Sequence, residues 1–421
     1  MLVPLVILRL IWSCLRNPDY WSRWPERFGY CPGLDEARPV LWIHAVSVGE
    51  AHAARPLIAR LLNEYPHCQV LVTTMTATGA RTVRQSFMDA VSHRYIPYDL
   101  PGAVRRFLER IRPRVCLVME TELWPNLFHG CRLRSIPVVL ANARMSEKSR
   151  RGYACLPGLV RSTLADVSLI AARGRPDADR FLGLGAEAER IVVTGNLKFD
   201  IRIPRSLIEQ AESLRRDLSV NRPVWIAAST HEGEEKPVLD AFFRVLARHK
   251  DCLLIIAPRH PERFGAVADL CIRAGARTAR RSRGVAEFAA VQVLVLDTLG
   301  ELPLYYAASD IAFVGGSLVP TGGHNMLEPA SLGVPVITGP HVCNFSEISD
   351  QLKRSGAAWT VADSRELADT VCELLGDANL RHQAGESGKR LVEENRGGID
   401  RLMHSLQPYL SQGATFGAGG I

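Results

Sequence analysis

Residues 224–260, VWIAASTHEGEEKPVLDAFFRVLARHKDCLLIIAPRH, decide the fold. An apolar run ending at Thr230 passes through a polar loop into a helical stretch, and a second apolar run follows from Cys252. Strand, helix and strand in that order make a βαβ unit, whose parallel strands are buried on both faces and so read as unbroken apolar runs. The rhythm recurs on either side. Toward the C-terminus come VQVLVLDT from Val291, IAFVGGS from Ile311 and PVITGP from Pro335. Toward the N-terminus lie VLWIHAV from Val40, QVLVTT from Gln69, RVCLVME from Arg114, PVVLANA from Pro137 and IVVTGN from Ile191. Two doubly wound α/β domains are predicted. The charged, helical stretch from Ile201, closed by Arg222 and Pro223, reads as the link between them. The predicted divisions are an N-terminal membrane anchor (1–34), a first domain (35–200), a linker (201–222), a second domain (223–398), a C-terminal helix (399–411) and a disordered tail (412–421).

Composition agrees with two domains. The chain has 421 residues, of which 47% are hydrophobic and 23% charged, and this excludes disordered, collagenous and coiled-coil classes. Ten cysteines with no CxxC pair encode neither a zinc knuckle nor a disulfide framework, which fits a reducing cytosol. The net charge of +7 biases the surface toward phosphate, nucleic acid or an anionic membrane. Residues 1–15, MLVPLVILRLIWSCL, are too short to span a bilayer and are broken by Pro4 and Arg9. Arg16, Trp21, Arg23, Trp24 and Arg27 follow, the aromatic and basic mixture that settles among headgroups, so the segment reads as an interfacial anchor. The competing reading is a helix packed on its own domain.

Open α/β sheets bind ligands beyond the carboxyl ends of their strands. The first such loop, WIHAVSVGE, ends at Glu50, a candidate proton acceptor or else a first-turn carboxylate favoured by the helix dipole. ETELWPN, residues 120–126, sets Glu120 and Glu122 beside an aromatic, and one of the two acids could be a capping residue. NARMSEKSRRGY, residues 142–153, gathers Arg144, Lys148, Arg150 and Arg151 around a single acid, Glu147; the cluster suits phosphates, or is a solvated loop. GNLKFD brings Lys198, able to neutralise a leaving phosphate or to lie along its own surface.

In the second domain STHEGEE, residues 229–235, reads as a helix entrance whose backbone donors bind anions. APRHPERF offers Arg259 and His260, and DTLGELPLYYAASD places Glu301 by a glycine-permitted bend. GGSLVPTGGHNMLEPASLGVPVITGP, residues 315–340, lets backbone approach a ligand, and Asn325, Leu327 and Glu328 open a helix with amides free for phosphate or ribose. No G-x-G-x-x-G follows the first strand, and no P-loop, H-E-x-x-H or G-x-S-x-G motif occurs. Dehydrogenase, P-loop NTPase, zincin and α/β-hydrolase chemistry are thereby disfavoured. The histidines show no metal spacing, and His44 reads as a core residue.

Taken together, WIHAVSVGE, ETELWPN, NARMSEKS, GNLKFD, STHEGEE, PRHPERF and FVGGSLVPTGGHNMLEPA resemble the 3-deoxy-D-manno-octulosonic acid (Kdo) transferases of lipopolysaccharide synthesis, in order and from the N-terminus to about residue 410. The resemblance implies a GT-B glycosyltransferase: two Rossmann-like domains facing a central cleft, with an N-terminal membrane-associating helix. It implies CMP-Kdo as donor and lipid IVA as acceptor, at the cytoplasmic face of a Gram-negative inner membrane, with no cofactor, no metal and no nucleic acid. By the same resemblance Glu50 is the general base of an inverting displacement, and Glu120 and Lys198 support the transition state. CMP contacts fall on Pro258 and Arg259, on Leu299, Gly300 and Glu301, and on Asn325, Met326, Leu327 and Glu328. Arg144, Lys148, Arg150 and Arg151 become candidates for gripping the acceptor's phosphates. Met326 departs from the family's usual proline, and the anchor is shorter than usual. The alternatives are a GT-B enzyme using a UDP-sugar, of disaccharide synthase or epimerase type, and a non-catalytic membrane scaffold.

Overall fold

A computed structural model describes residues 23–218, 221–284 and 288–411; the greater part of the predicted anchor and the whole predicted tail lie outside them. The chain divides into two compact units, residues 1–200 with 397–421, and Ile201–Arg396.

The first unit is built on seven parallel strands: β1 (Val40–His44), β2 (Gln69–Thr74), β3 (Ser92–Tyr95), β4 (Val115–Met119), β5 (Val138–Ala143), β6 (Leu169–Ala172) and β7 (Ile191–Val193). Their order is β3-β2-β1-β4-β5-β6-β7, so winding reverses between β1 and β4. β1, β4, β5 and β6 are buried at every position, as covering on both faces demands. One face carries Leu41, Ile43, Leu117 and Val139 under the helix Val48–Glu64, and the other carries Trp42, Cys116, Val118 and Leu140 under Phe107 and Phe128.

The second unit repeats the plan with β8 (Val224–Thr230), β9 (Leu253–Pro258), β10 (Thr278–Arg280), β11 (Val293–Val295), β12 (Ile311–Val314), β13 (Val336–Thr338) and β14 (Ala358–Thr360). The order β10-β11-β9-β8-β12-β13-β14 puts its reversal between β8 and β12.

Two boundaries differ from the sequence reading. The stretch 201–222 is no free linker: it forms a helix, Arg205–Asp217, and its Leu214 together with the capping Leu218 packs in the second unit's core. Arg215 holds Asp310 at 3.0 Å, and Arg222 donates to the carbonyls of Asp251 and Phe288 at 2.6 and 2.7 Å. The C-terminal helix, Gly398–Ser411, belongs to the first unit, where Ile399, Leu402, Met403, Leu406 and Leu410 complete one face of the core. Its entry is pinned by Asp200, whose carboxylate accepts from the amides of Gly397 and Ile399 at 2.6 and 2.7 Å.

No helix among the described residues is long and apolar enough to cross a membrane.

Candidate active site

At the reversal point of the first sheet, the loops after β1 and β4 bring their acids together. Ser47 caps the helix Val48–Glu64, its Oγ accepting from the Glu50 amide at 3.4 Å. Glu50 closes the cap: one carboxylate oxygen accepts from the Val46 amide at 2.7 Å, and the other lies 3.2 Å from the Ser47 hydroxyl. The first-turn reading of Glu50 therefore holds, and a capping carboxylate can also titrate. Burial pushes its pKa up to about 7; the Val46 bond opposes this, and the charges of Glu120 and Glu122 add to it. Glu122 is raised too, first by burial and then by Glu120.

Glu120 sits in the left-handed region at φ 57°, a conformation that costs about 1 kcal/mol or more in a non-glycine residue. Arg173, which follows β6 and is almost wholly buried, pairs with the Glu120 carboxylate and donates from Nε to the Asn142 carbonyl at 3.2 Å. Asn142, also at positive φ, accepts the Leu197 amide on Oδ1 at 3.1 Å. That bond fixes the short turn Leu197–Phe199, which packs against the helix carrying Glu50 and presents Lys198, half-buried. His44 is fully buried with Nδ1 near Thr73; burial pushes it down to about 4, as a core histidine requires.

The basic cluster after β5 divides. Arg150 and Arg151 bond to Glu147 at 2.7 and 3.2 Å within the helix Glu147–Ala154, and Arg180 approaches the same acid at 3.8 Å. Arg144 and Lys148 have no acid partner among the described residues.

In the second unit Glu234, fully buried, accepts from the amides of His231, Gly316, Ser317 and Leu318 at 2.6–2.9 Å. Within STHEGEE the His231 amide, expected to be open to an outside anion, thus holds the protein's own carboxylate, as do three amides of the loop after β12. His231 meets His324, Nε2 to Nε2 at 2.8 Å, and its ring lies 5.2 Å from that of His260. Pro258 ends β9, Arg259 is exposed, and its amide donates to the Thr230 carbonyl at 3.0 Å. Glu301 accepts from Arg281 at 3.0 Å and from the Thr298 hydroxyl, beside the exposed Leu299 and Gly300, whose φ is 87°.

The helix after Asn325 is corrected in two ways. It is only five residues, Leu327–Ser331, and its Leu327 amide is taken by Asn325 Oδ1 at 3.1 Å. Asn325 also donates to Glu328 at 3.0 Å, and the Met326 and Leu327 side chains are fully buried, leaving only their backbone for a ligand.

Among the described residues no three His, Cys, Asp or Glu side chains converge as a metal site. The Asp177-Ala178-Asp179 pair lies on a helix, Asp177 accepting the Met145 amide at 2.9 Å and Asp179 paired with Arg175 at 3.0 Å.

A family model described as 3-deoxy-D-manno-octulosonic-acid transferase (kdotransferase) matches residues 22–201, and one for glycosyl transferases group 1 matches 238–391. The 3-deoxy-D-manno-octulosonic acid transferase of Haemophilus influenzae is 41% identical over 97% of this chain and 96% of its own. The chain belongs to the Kdo transferase family.

The Kdo transferase of Bordetella pertussis is 36% identical over 97% of each chain. A glycosyltransferase structure from Rickettsia africae, 12% identical with a TM-score of 0.54, covers 90% of this chain and all of its own; that likeness shows the fold alone, the two Rossmann-like domains of the GT-B class. Within this Kdo transferase the sequence missed Arg173 and Asn142. Their signal was faint, since each is one polar residue at a strand end whose partner lies far along the chain. It also read His231, His260 and His324 singly, and these meet only through adjacent strands.

Proposed function

We propose that this chain transfers Kdo from CMP-Kdo to lipid IVA by direct displacement with inversion, using Glu50 as general base. One observation carries the reading. Glu50 stands at the topological reversal of its sheet with a carboxyl raised to about 7, the range in which a base both holds and releases a proton at neutral pH. Its bonds to Val46 and Ser47 fix the carboxylate's position before substrate arrives. As the acceptor hydroxyl attacks the anomeric carbon, its proton passes to Glu50 and the bond to the CMP phosphate breaks. Arg259, exposed and without a side-chain partner among the described residues, is suited to neutralise that phosphate, and Lys198 keeps the supporting role the family likeness gives it.

Arg144 and Lys148 are better placed than Arg150 and Arg151 to grip the acceptor's phosphates, because Glu147 already engages the latter two. The enzyme works at the cytoplasmic face of the inner membrane through its N-terminal segment. Trp24 and Tyr30, 46% and 54% exposed, are supporting features, the latter with the Arg106 guanidinium 4.5 Å over its ring. Flotation with anionic vesicles should carry the full chain and leave it behind with neutral lipid at high salt. No metal takes part, so full activity in EDTA is expected; loss restored by magnesium would refute this.

Mass spectrometry of the product formed from CMP-Kdo and lipid IVA tests the reaction directly. Kdo-bearing lipid IVA is expected, and binding of UDP in preference to CMP would overturn the donor assignment.

A further inference from the structure

We propose that His231 and His324 form a proton-sharing pair that takes up a proton when the donor binds and gives it to the phosphate oxygen leaving the sugar. The inference rests on CMP-Kdo being the donor, and it adds a general acid in the second unit to the base in the first.

The placement comes from topology. β8 and β12 are neighbours at the reversal of the second sheet, and His231 and His324 lie in the loops after them, where a doubly wound sheet receives its ligand. The Nε2 atoms are 2.8 Å apart, the ring planes differ by 8° and the centroids lie 5.0 Å apart. Face-to-face rings cannot bring atoms much closer than about 3.5 Å. The rings therefore lie edge to edge in nearly one plane, joined by an N–H···N bond in which one nitrogen donates and the other accepts. A further proton on an outer nitrogen would keep that bond and spread its charge over two rings.

The surroundings hold the pair in place. Gly316, at φ 67°, leaves no space for a side chain, since an added Cβ would come within 2.9 Å of the His324 ring and 2.8 Å of Thr321 Oγ1. The Glu234 carboxylate fixes both loops through the amides of His231, Gly316, Ser317 and Leu318. Charged groups around the pair are mixed. Burial lowers the His231 pKa, Glu234 and Glu235 oppose that, and His260 and Arg259 reinforce it. Glu235 is itself bonded to Arg263 at 2.6 Å, and Glu262 lies 3.9 Å from His260.

Burial thus disfavours a positive charge on His231, and the negative charges of a donor bearing a phosphodiester and a sugar carboxylate favour one. In the transfer the bond between the anomeric carbon and the phosphate oxygen breaks with its electron pair going to that oxygen. The oxygen takes the proton from the pair, and the acceptor's proton goes to Glu50. A phosphate monoester with a second pKa of about 6 matches a histidine donor.

Calorimetric titration of CMP into the full chain, in buffers of different ionisation enthalpy, reads the proton directly. The wild type should take up protons on binding beyond those CMP itself gains. His324→Asn and His231→Asn should bind CMP within about fivefold, lose that uptake and lower kcat about 10²-fold with little change in KM for the donor. His324→Gln, with a longer amide able to keep a bond to His231, guards against a collapsed loop: it should bind CMP and share the kcat defect. If the wild type fails to bind CMP, the donor reading falls. If CMP binds and proton uptake and kcat survive in His324→Asn and His324→Gln, the pair's role alone is refuted.

Discussion

Glu50 caps its helix and is the base of the proposed mechanism, and its burial pulls its stability contribution in a definite direction. Its folded pKa of about 7 exceeds the ordinary 4.5, so the folded state holds the proton more tightly and stability falls as pH rises from about 4.5 through 7. Glu50→Gln keeps an acceptor for the Val46 amide and removes the buried charge. It should raise stability at pH 8 by about 1–3 kcal/mol and change little at pH 4.5, read by denaturant titration at the two pH values. Glu120→Gln removes one of the charges that raise Glu50, so the acidic limb of the pH–rate profile should move down by a fraction of a unit, whatever happens to its height. Arg173→Ala leaves Glu120 partly buried without its partner and should cost about 2–3 kcal/mol, with loss of activity. Glu50 was legible in the sequence because Ser47-Val48-Gly49-Glu50 is a cap written in four adjacent letters. Arg173 was not, because its partner lies 53 residues earlier and the pairing exists only once β4, β5 and β6 are side by side.

Among elements, strands with β-branched apolar runs announced themselves, even the three-residue β7, β11 and β13, whereas β3, β6, β10 and β14 did not. β3 (Ser92–Tyr95) alternates half-buried and buried positions with the polar Ser-His-Arg, and β10 and β14 are three-residue edge strands. These three are polar or only half-buried and are held by the neighbour's hydrogen bonds more than by an apolar pattern of their own. The loop after β12 was legible from its glycines as a close-approach turn, but not in what its amides hold. Four amides converge on Glu234, an arrangement fixed by the β8–β12 pairing. Gly316→Ala should therefore lower second-unit stability by about 1–3 kcal/mol through strain at positive φ and the clash with His324, measurable as a fall in Cm with unchanged m.

At the scale of the molecule, the chain crosses from the first unit to the second at Asp200 and returns at Gly397, and Asp200 binds the start of the returning helix. The sequence showed two sheets and a final helix. It could not show which unit the helix serves, since an amphipathic face carries no address. Truncation after Arg396 should lower the melting transition of the first unit and leave the second's nearly unmoved, because Leu402, Met403 and Leu406 leave holes in only one core. The pH dependence of kcat/KM for Kdo transfer, wild type against Glu50→Gln, reaches the centre of the account most directly. The wild type should rise with pH along a limb whose midpoint lies near 7, whereas Glu50→Gln should be slower by about 10²- to 10⁴-fold and lack that limb. An unchanged limb in Glu50→Gln would contradict the assignment of Glu50 as the base.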